Sequence, residues 1–301
     1  MAIEAAPPCG ILLLDKPSGL SSNAALQRVR HLLGRPKAGH TGSLDPLATG
    51  MLPICIGEAT KVAGALLAGA KGYTVEMRLG ERTDTGDAEG EIIERQAVLP
   101  LDATRIECAL RALRGPQQQI PPMYSALKHK GQPLYKLARQ GLSVERSARS
   151  IEIHLLELLD FTAVLLRLRV ECSKGTYIRT LVEQLGVHLG SCAHVSALRR
   201  DFVEPFRGES MHTLEALQTA TREPALLPAD RAVAHLPALY LSETQARAMS
   251  FGQQIAATGT ASGQLRLYDP SGRFLGLGMG AEGGSVRPLR LFSCGATGLR
   301  N

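Results

Sequence analysis

Apolar residues change their spacing from segment to segment along this chain, and each change marks an element. Gly10 to Leu14 is a short unbroken apolar run that predicts a strand, followed by the turn residues Asp15-Lys16-Pro17-Ser18-Gly19. Leu26, Val29 and Leu33 then form a helical stripe, with Ser21 or Ser22 available as its cap and Gly34 as its stop. A loop punctuated by Gly and Pro runs from Gly39 to Gly50 and leads into MLPICIG, a second strand. In KGYTVEMRL the residues Tyr73, Val75 and Met77 share one face, against Thr74, Glu76 and Arg78. Ile106, Leu110 and Leu113 stripe another helix, which Gly115 and Pro116 end. The clearest switch lies in AVLLRLRVECSKGTYIRTLVEQLG. Val164, Leu166, Leu168 and Val170 point inward, whereas Arg167, Arg169 and Glu171 point outward. After the turn at Ser173 to Thr176, Ile178, Leu181, Val182 and Leu185 take up the helical period, which sets Tyr177 and Arg179 beside the strand's end.

Two stretches break this regularity. QQQIPPMYSALKHKGQPLYKLARQG has little periodicity and a doubled proline, and predicts a projecting loop with a short helix at Tyr135 to Gln140. Its length exceeds a simple connection, so residues 115–149 are expected to be a binding insertion. Pro224 and Pro228 mark a boundary near 225–238. A helix around Thr244 to Met249 and the strands QLRLYDP, FLGLGMG and VRPLRLF follow, as in a small β-barrel-like module. The expected domains are 1–235 and 236–301, in a 301-residue chain long enough to bury a sizeable core.

Composition narrows the function classes. Six Tyr, six Phe and no Trp argue against a binder built on a dense aromatic platform. The six Cys include no C-x-x-C pair, so neither a disulfide scaffold nor a zinc knuckle is written here. MAIEAAPPCG lacks the basic and apolar regions of a signal peptide, and no run of 18 apolar residues exists. No membrane span and a cytoplasmic location are therefore expected. The formal net charge of +6 is unevenly spread. Residues 111–149 carry eight Lys or Arg and one Glu, and residues 231–301 carry seven Arg, no Lys and three acids. Glu81 to Glu94 reverses the balance, with six acids against Arg82. Two concentrated basic regions suit a polyanionic partner, since each phosphate contact releases counterions.

The candidate chemistry centres on GHTGSLDPLATG, residues 39–50. Three glycines permit tight bends, and Pro46 restricts Asp45 away from helix. Asp45 is then either a turn-capping side chain or a catalytic carboxylate, and His40 a packing residue, a phosphate donor or a proton carrier. Arg179 is either a helix-surface cation or a fork holding a carboxylate ionised. The Glu81-to-Glu94 run offers a second carboxylate, but its spacing reads as a solvated loop. The chain has no metal-ligand spacing, no phosphate-binding G-x-x-x-x-G-K-[ST] loop, no strand-borne G-x-G-x-x-G and no G-x-S-x-G elbow. ATP, nicotinamide and acyl-serine chemistry are accordingly unsupported.

Five ordered motifs carry a family resemblance over residues 10–220: ILLLDKPSGLSS, GHTGSLDPLATGMLPICIGEATK, KGYTVEMRLGERTDTGDAEG, IPPMYSALKHKGQPLYKLARQG and CSKGTYIRTLVEQLG. Together they resemble the bacterial tRNA pseudouridine synthases of the TruB type. Ser21 and Ser43 stand where Thr is common, and each keeps the hydroxyl. The resemblance implies an α+β pseudouridine synthase fold, with a mixed, largely antiparallel central sheet flanked by helices and loops. It also implies a C-terminal PUA-like module, and isomerisation of uridine 55 in the tRNA T-loop after base flipping. Asp45 matches the family's essential aspartate, Tyr73 its active-site tyrosine and Arg179 the arginine that pairs with the aspartate. Lys16 is expected to support the pocket network, Leu198 to line the far side of the uracil and His40 to take the space or phosphate the base vacates. Lys128, Lys130, Lys136 and Arg139 are expected to meet the RNA backbone. The reaction is redox neutral and implies no cofactor and no metal. It implies tRNA as partner through the T-arm and elbow, no obligate protein partner, and a monomer. The alternative is a non-catalytic RNA-binding or tRNA-chaperone protein of the same fold.

Overall fold

Strands with strict apolar alternation take the centre of a sheet, and strands that are apolar throughout take places where both faces are covered. The computed structural model describes residues 8–221, 224–257, 259 and 262–293, so residues 1–7 and Cys294 lie outside the described residues. The strands before the C-terminal module are β1 (Gly10–Lys16), β2 (Ala38–His40), β3 (Thr49–Ile56), β4 (Lys71–Leu79), β5 (Glu81–Thr83), β6 (Ile92–Arg95), β7 (Gly115–Gln119), β8 (Lys128–His129), β9 (Gln132–Pro133), β10 (Arg149–Phe161), β11 (Leu165–Cys172) and β12 (Ala193–Val203). Eight of them form one sheet in the order β1-β3-β12-β4-β11-β10-β7, with β2 added against β3. Every pairing is antiparallel except β12 with β3, which run parallel through Arg199↔Thr49 and Arg200↔Gly50. The sheet is mixed and largely antiparallel, as the resemblance implies.

Helices α1 (Ser22–Leu32), α2 (Ala63–Ala68), α3 (Ala103–Ala112), α4 (Leu134–Ala138), α5 (Ile178–His188) and α6 (Leu214–Thr219) flank the sheet or its loops. Val75 and Met77 of β4 and Leu166, Leu168 and Val170 of β11 bury together with Ile178, Leu181, Val182 and Leu185 of α5 in one cluster. Each such side chain contributes roughly 1.5–3 kcal/mol of burial. In β1 and β3 alternate residues serve different layers. Leu12, Leu14, Leu52 and Ile54 pack with α1, and Ile11, Leu13, Met51 and Cys55 face the opposite cluster. This double burial explains why both segments read as continuous apolar runs. Ser21 caps α1, accepting from the amide of Ala24 at 3.1 Å.

The structure departs from expectation in two places. Gly115–Gln119, read as the start of a projecting loop, is the edge strand β7, paired with Arg149–Ile153 of β10. One-sided pairing needs no apolar alternation, so Gly-Pro-Gln-Gln-Gln gave no strand signal. The acidic Glu81-to-Glu94 run, read as a solvated loop, forms the β5–β6 hairpin, whose connection exposes Asp84, Glu89 and Glu91 but buries Asp87.

After residue 235 come α7 (Glu243–Ser250) and the strands β13 (Ala238–Tyr240), β14 (Ile255–Ala256), β15 (Gly263–Tyr268), β16 (Phe274–Ala281) and β17 (Ser285–Leu291), in the order β13-β15-β16-β17-β14. The connection to them is packed. Ile11 and Leu227 exchange two backbone hydrogen bonds of 2.8 Å, and Ala232 and Val233 bury with Leu277 in one cluster. Lys61 Nζ donates to the carbonyl of Leu291 at 2.7 Å. Among the described residues no helix is long and apolar enough to cross a membrane.

The parallel junction of β3 and β12 depends on Gly50, at φ 96°. A Cβ there would collide with the carbonyl of Arg200. Gly50→Ala is expected to cost about 3 kcal/mol through strain and overpacking. Gly34→Ala, at φ 74° but facing open space, is expected to cost only about 1 kcal/mol. Urea midpoints of the two variants check the difference.

Candidate active site

The loop that carries Asp45 is pinned through its backbone at several positions. Lys16, fully buried, donates to the carbonyls of Pro17 at 2.8 Å, Leu20 at 2.7 Å and Pro46 at 3.2 Å. The Gly19 amide donates to the same Pro46 carbonyl at 2.9 Å. Ser22 holds Leu44 from both sides, its hydroxyl accepting from the amide at 2.7 Å and donating to the carbonyl at 3.0 Å. The Lys-Pro-Ser-Gly-Leu-Ser-Ser opening is thus a clamp on the Asp45 loop. Burial pulls Lys16 down to about 8, opposed by the nearby charges of Glu89 and Asp45.

Asp45 meets a two-pronged partner. Arg179 Nε lies 3.0 Å from Oδ2, and Nη2 donates to Oδ1 at 3.3 Å. Arg179 is 6% exposed, while 41% of the Asp45 side chain still reaches solvent, so the carboxylate is open on the side away from its sealed partner. The surrounding protein pushes the carboxyl above its ordinary range, Arg179 and Lys16 pull it down, and Asp87 adds to the rise. The remaining guanidinium hydrogens are also used. Nη1 donates to the carbonyl of Thr85 and Nη2 to that of Tyr124, both at 2.6 Å. Asp87 Oδ2 stands 3.6 Å from Nη1. Asp87 is itself fixed by the Thr85 hydroxyl at 2.7 Å and the Glu89 amide at 3.1 Å. Arg179 therefore joins the helix start, the acidic hairpin and the base of the insertion to one carboxylate.

Tyr73 and Leu198 are buried in the same cluster as Leu44 and Ala48, the residues flanking Asp45. Burial pushes the Tyr73 phenol up to about 12, against the opposing effect of Arg200, so it is neutral at physiological pH. Arg200 is almost wholly buried beside the phenol. Its Nε donates to the carbonyl of Met51 at 2.7 Å and its Nη2 to that of Gly42 at 3.0 Å. His40 is half-buried on β2, where burial and Arg200 push it below the usual histidine range, and its Nδ1 has no hydrogen-bond partner among the described residues.

Lys128, Lys130, Lys136 and Arg139 are all exposed, on the β8–β9 hairpin and around α4, and none bonds Asp45, Tyr73 or Arg179. Only the root of that insertion reaches the site. Gln119 exchanges hydrogen bonds with the backbone of Tyr177, at 2.8 and 3.1 Å, and the Tyr124 hydroxyl donates to Asp84 at 3.1 Å. Sequence reasoning missed Asp87, Arg200 and Gln119. Arg200 alone left a usable signal, since it falls on the inward face of β12 with Leu198 and Phe202. Among the described residues no group of three or more His, Cys, Asp or Glu is placed to hold a metal ion.

Three family models match the chain: "TruB family pseudouridylate synthase (N terminal domain)" over residues 30–178, "tRNA pseudouridylate synthase B C-terminal domain" over 179–234, and "Pseudouridine synthase II TruB, C-terminal" over 237–292. A protein of Chromohalobacter salexigens named tRNA pseudouridine synthase B is 51% identical over 293 residues, 95% of each chain. One of the same name from Pseudomonas aeruginosa is 52% identical over 291 residues, covering 94% of this chain and 95% of that one. The crystal structure of a Cbf5-Nop10-Gar1 complex contains a similar chain. It has a TM-score of 0.73 at 25% identity, over 97% of this chain and 88% of that one.

Removing the shared fork should be costly, because Asp87 and two carbonyls lose their donor together. Arg179→Met is expected to lower stability by about 3–5 kcal/mol in urea unfolding. A loss below about 1 kcal/mol would show that the fork does not hold these elements together.

Proposed function

The chain belongs to the TruB family of pseudouridine synthases, and from that premise we propose that it isomerises uridine 55 in the T-loop of tRNA, with Asp45 as the essential carboxylate. The observation that carries the reading is Asp45 itself. It is a carboxylate half-open to solvent, gripped from behind by a buried arginine and flanked by an apolar floor. That arrangement suits a reaction in which positive charge develops at the ribose C1′ and must be stabilised or trapped. The bond from N1 to C1′ breaks, the uracil turns, and C5 bonds to C1′. The proton leaving C5 and the proton gained at N1 balance, so the product is an isomer of the substrate.

Each neighbour has a task in this scheme. Arg179 keeps Asp45 ionised and aimed, opposing the burial that raises its pKa. Tyr73, held as a neutral phenol, offers its ring to the displaced base, and Leu198 lines the far side. Lys16 fixes the loop without reaching the substrate, since its three donors are spent on carbonyls. His40 takes the space or a phosphate vacated when the base flips out. The reading includes action as a monomer, without an obligate protein partner.

Binding falls to the charged regions. Lys128, Lys130, Lys136 and Arg139 are exposed and free to meet phosphates of the T-arm, read through shape and backbone. The division at residue 235 into catalytic and PUA-like parts is supported by the family model that begins at 237.

Two experiments test this. Unmodified tRNA incubated with purified Asp45→Asn protein should remain bound within about twofold of wild type, while pseudouridine at position 55 disappears in chemical mapping. Product at that position from the variant would remove the role assigned to Asp45. Replacing Lys128 and Lys130 by Ala should weaken tRNA binding and lower the slope of log K against log salt by up to about 2, as each lost phosphate contact removes roughly 0.9. An unchanged slope would take the insertion out of the RNA contact.

A further inference from the structure

Unused polar groups gather in one cavity outside the catalytic site. A space of about 360 Å³ lies between α5, the turn that follows it and the β5–β6 hairpin. Two of the charges that line it already satisfy each other. Arg82 Nε donates to Oε2 of Glu94 at 2.7 Å, and Gln96 donates to Oε1 of the same carboxylate at 2.6 Å. Three acceptors beside them are not used. Ser191 is 3% exposed, and its hydroxyl has no hydrogen-bond partner among the described residues. The buried Oε1 of Gln184 has none either. Glu183 makes neither a hydrogen bond nor an ion pair among the described residues. Burial pushes its carboxyl above the usual range, while the charges of Arg82 and Arg179 pull it down from beyond ion-pair distance.

These groups share one chemistry. Each can accept a hydrogen bond, and Glu183 brings a negative charge that no ion pair balances. A buried acceptor without a donor is unfavourable, so the cavity favours a guest that supplies N–H groups and a positive charge. A primary ammonium meets both needs, with three donors on one compact cation. A metal ion does not fit, since no group of three or more His, Cys, Asp or Glu is placed to hold one among the described residues. Val187, 74% exposed, also lines the cavity and offers an apolar contact to a carbon stem. The neighbouring guanidinium of Arg105 donates to the carbonyls of Pro100 and Leu189 and is not part of the lining. Glu183 borders the catalytic network as well. It packs against Gly86, where an added Cβ would stand 3.1 Å from its Oε1, next to the Thr85 carbonyl that accepts from Arg179.

We propose that this cavity binds a small organic ammonium, a protonated primary alkylamine, with Glu183 balancing its charge and Gln184 Oε1 and the Ser191 hydroxyl accepting from its N–H groups. Asp45, Tyr73 and Leu198 take no part in the lining, so the site is distinct from the one assigned to uridine and does not depend on the RNA reading.

Titration of the full-length, ¹⁵N-labelled protein with n-butylammonium chloride, at constant total chloride, tests this by amide chemical shifts. Saturable shifts are expected at Glu183, Gln184, Ser191 and Cys192. 1-Butanol, which keeps the stem without the charge, and tetramethylammonium chloride, which keeps the charge without N–H donors, should give none. Glu183→Gln should weaken binding roughly 10- to 100-fold, the range for a hydrogen bond to a charged group. Ser191→Ala should also weaken it, and removing a hydroxyl that has no partner leaves folding intact, so this variant serves even if Glu183→Gln unfolds. Shifts that grow linearly without saturating, equal shifts with either control compound, or wild-type affinity in either folded variant would each overturn the proposal. No arm reads pseudouridine formation, so failure here leaves the functional reading untouched.

Discussion

The contact between Arg179 and Asp45 organises the molecule's active region. One guanidinium, nearly sealed from solvent, serves the half-exposed Asp45 carboxylate, a second carboxylate on the acidic hairpin, and two carbonyls from different segments. A lysine could not do this, since its donors radiate from one point, whereas the arginine fork reaches along two edges. Three parts of the chain that are remote in sequence are thereby brought to one carboxylate. Its charge opposes the burial that raises the Asp45 carboxyl above its ordinary range.

Around that pair the protein spends two more buried cations on positioning. Lys16 and Arg200 both donate to backbone carbonyls of the Asp45 loop and its flanks, and among the described residues neither has an ion-pair partner. Burying an unpaired charge is unfavourable, and the lowered pKa of Lys16 shows the strain on its charged form. The clusters packed around the sheet offset the cost, while the loop gains a single conformation. A pseudouridine synthase needs such rigidity, because its carboxylate must meet a base taken out of a folded RNA rather than a freely diffusing substrate.

The charge pattern serves a different purpose and lies elsewhere. Lys128, Lys130, Lys136 and Arg139 of the insertion are exposed, while the C-terminal module is fastened to the rest of the chain by a shared apolar cluster. Asp45 is held by a buried arginine and a multiply bonded loop, whereas these basic side chains stand in solvent.

Much of this was legible in the sequence, and the reasons are physical. Period-two and helical stripes report burial directly, so β4, β11 and α5 could be read from Tyr73 to Met77, Leu166 to Val170 and Ile178 to Leu185. Asp45, Tyr73 and Arg179 were singled out by the family resemblance of the motifs that hold them, and the fold brings Asp45 and Arg179 into contact. The edge strand Gly115–Gln119 was not legible, because a strand paired on one side needs no apolar face. Nor were the roles of Asp87 and Arg200. Whether an aspartate in an acidic run is solvated or faces an arginine 92 residues away depends on which strands become neighbours. The sequence by itself determined the elements, the uneven charge and the residues capable of chemistry, since those follow from local backbone and side-chain preferences. Only the tertiary structure decided which charges are buried together and which acceptors are left unpaired, because burial and pairing are properties of the assembled sheet rather than of any one segment.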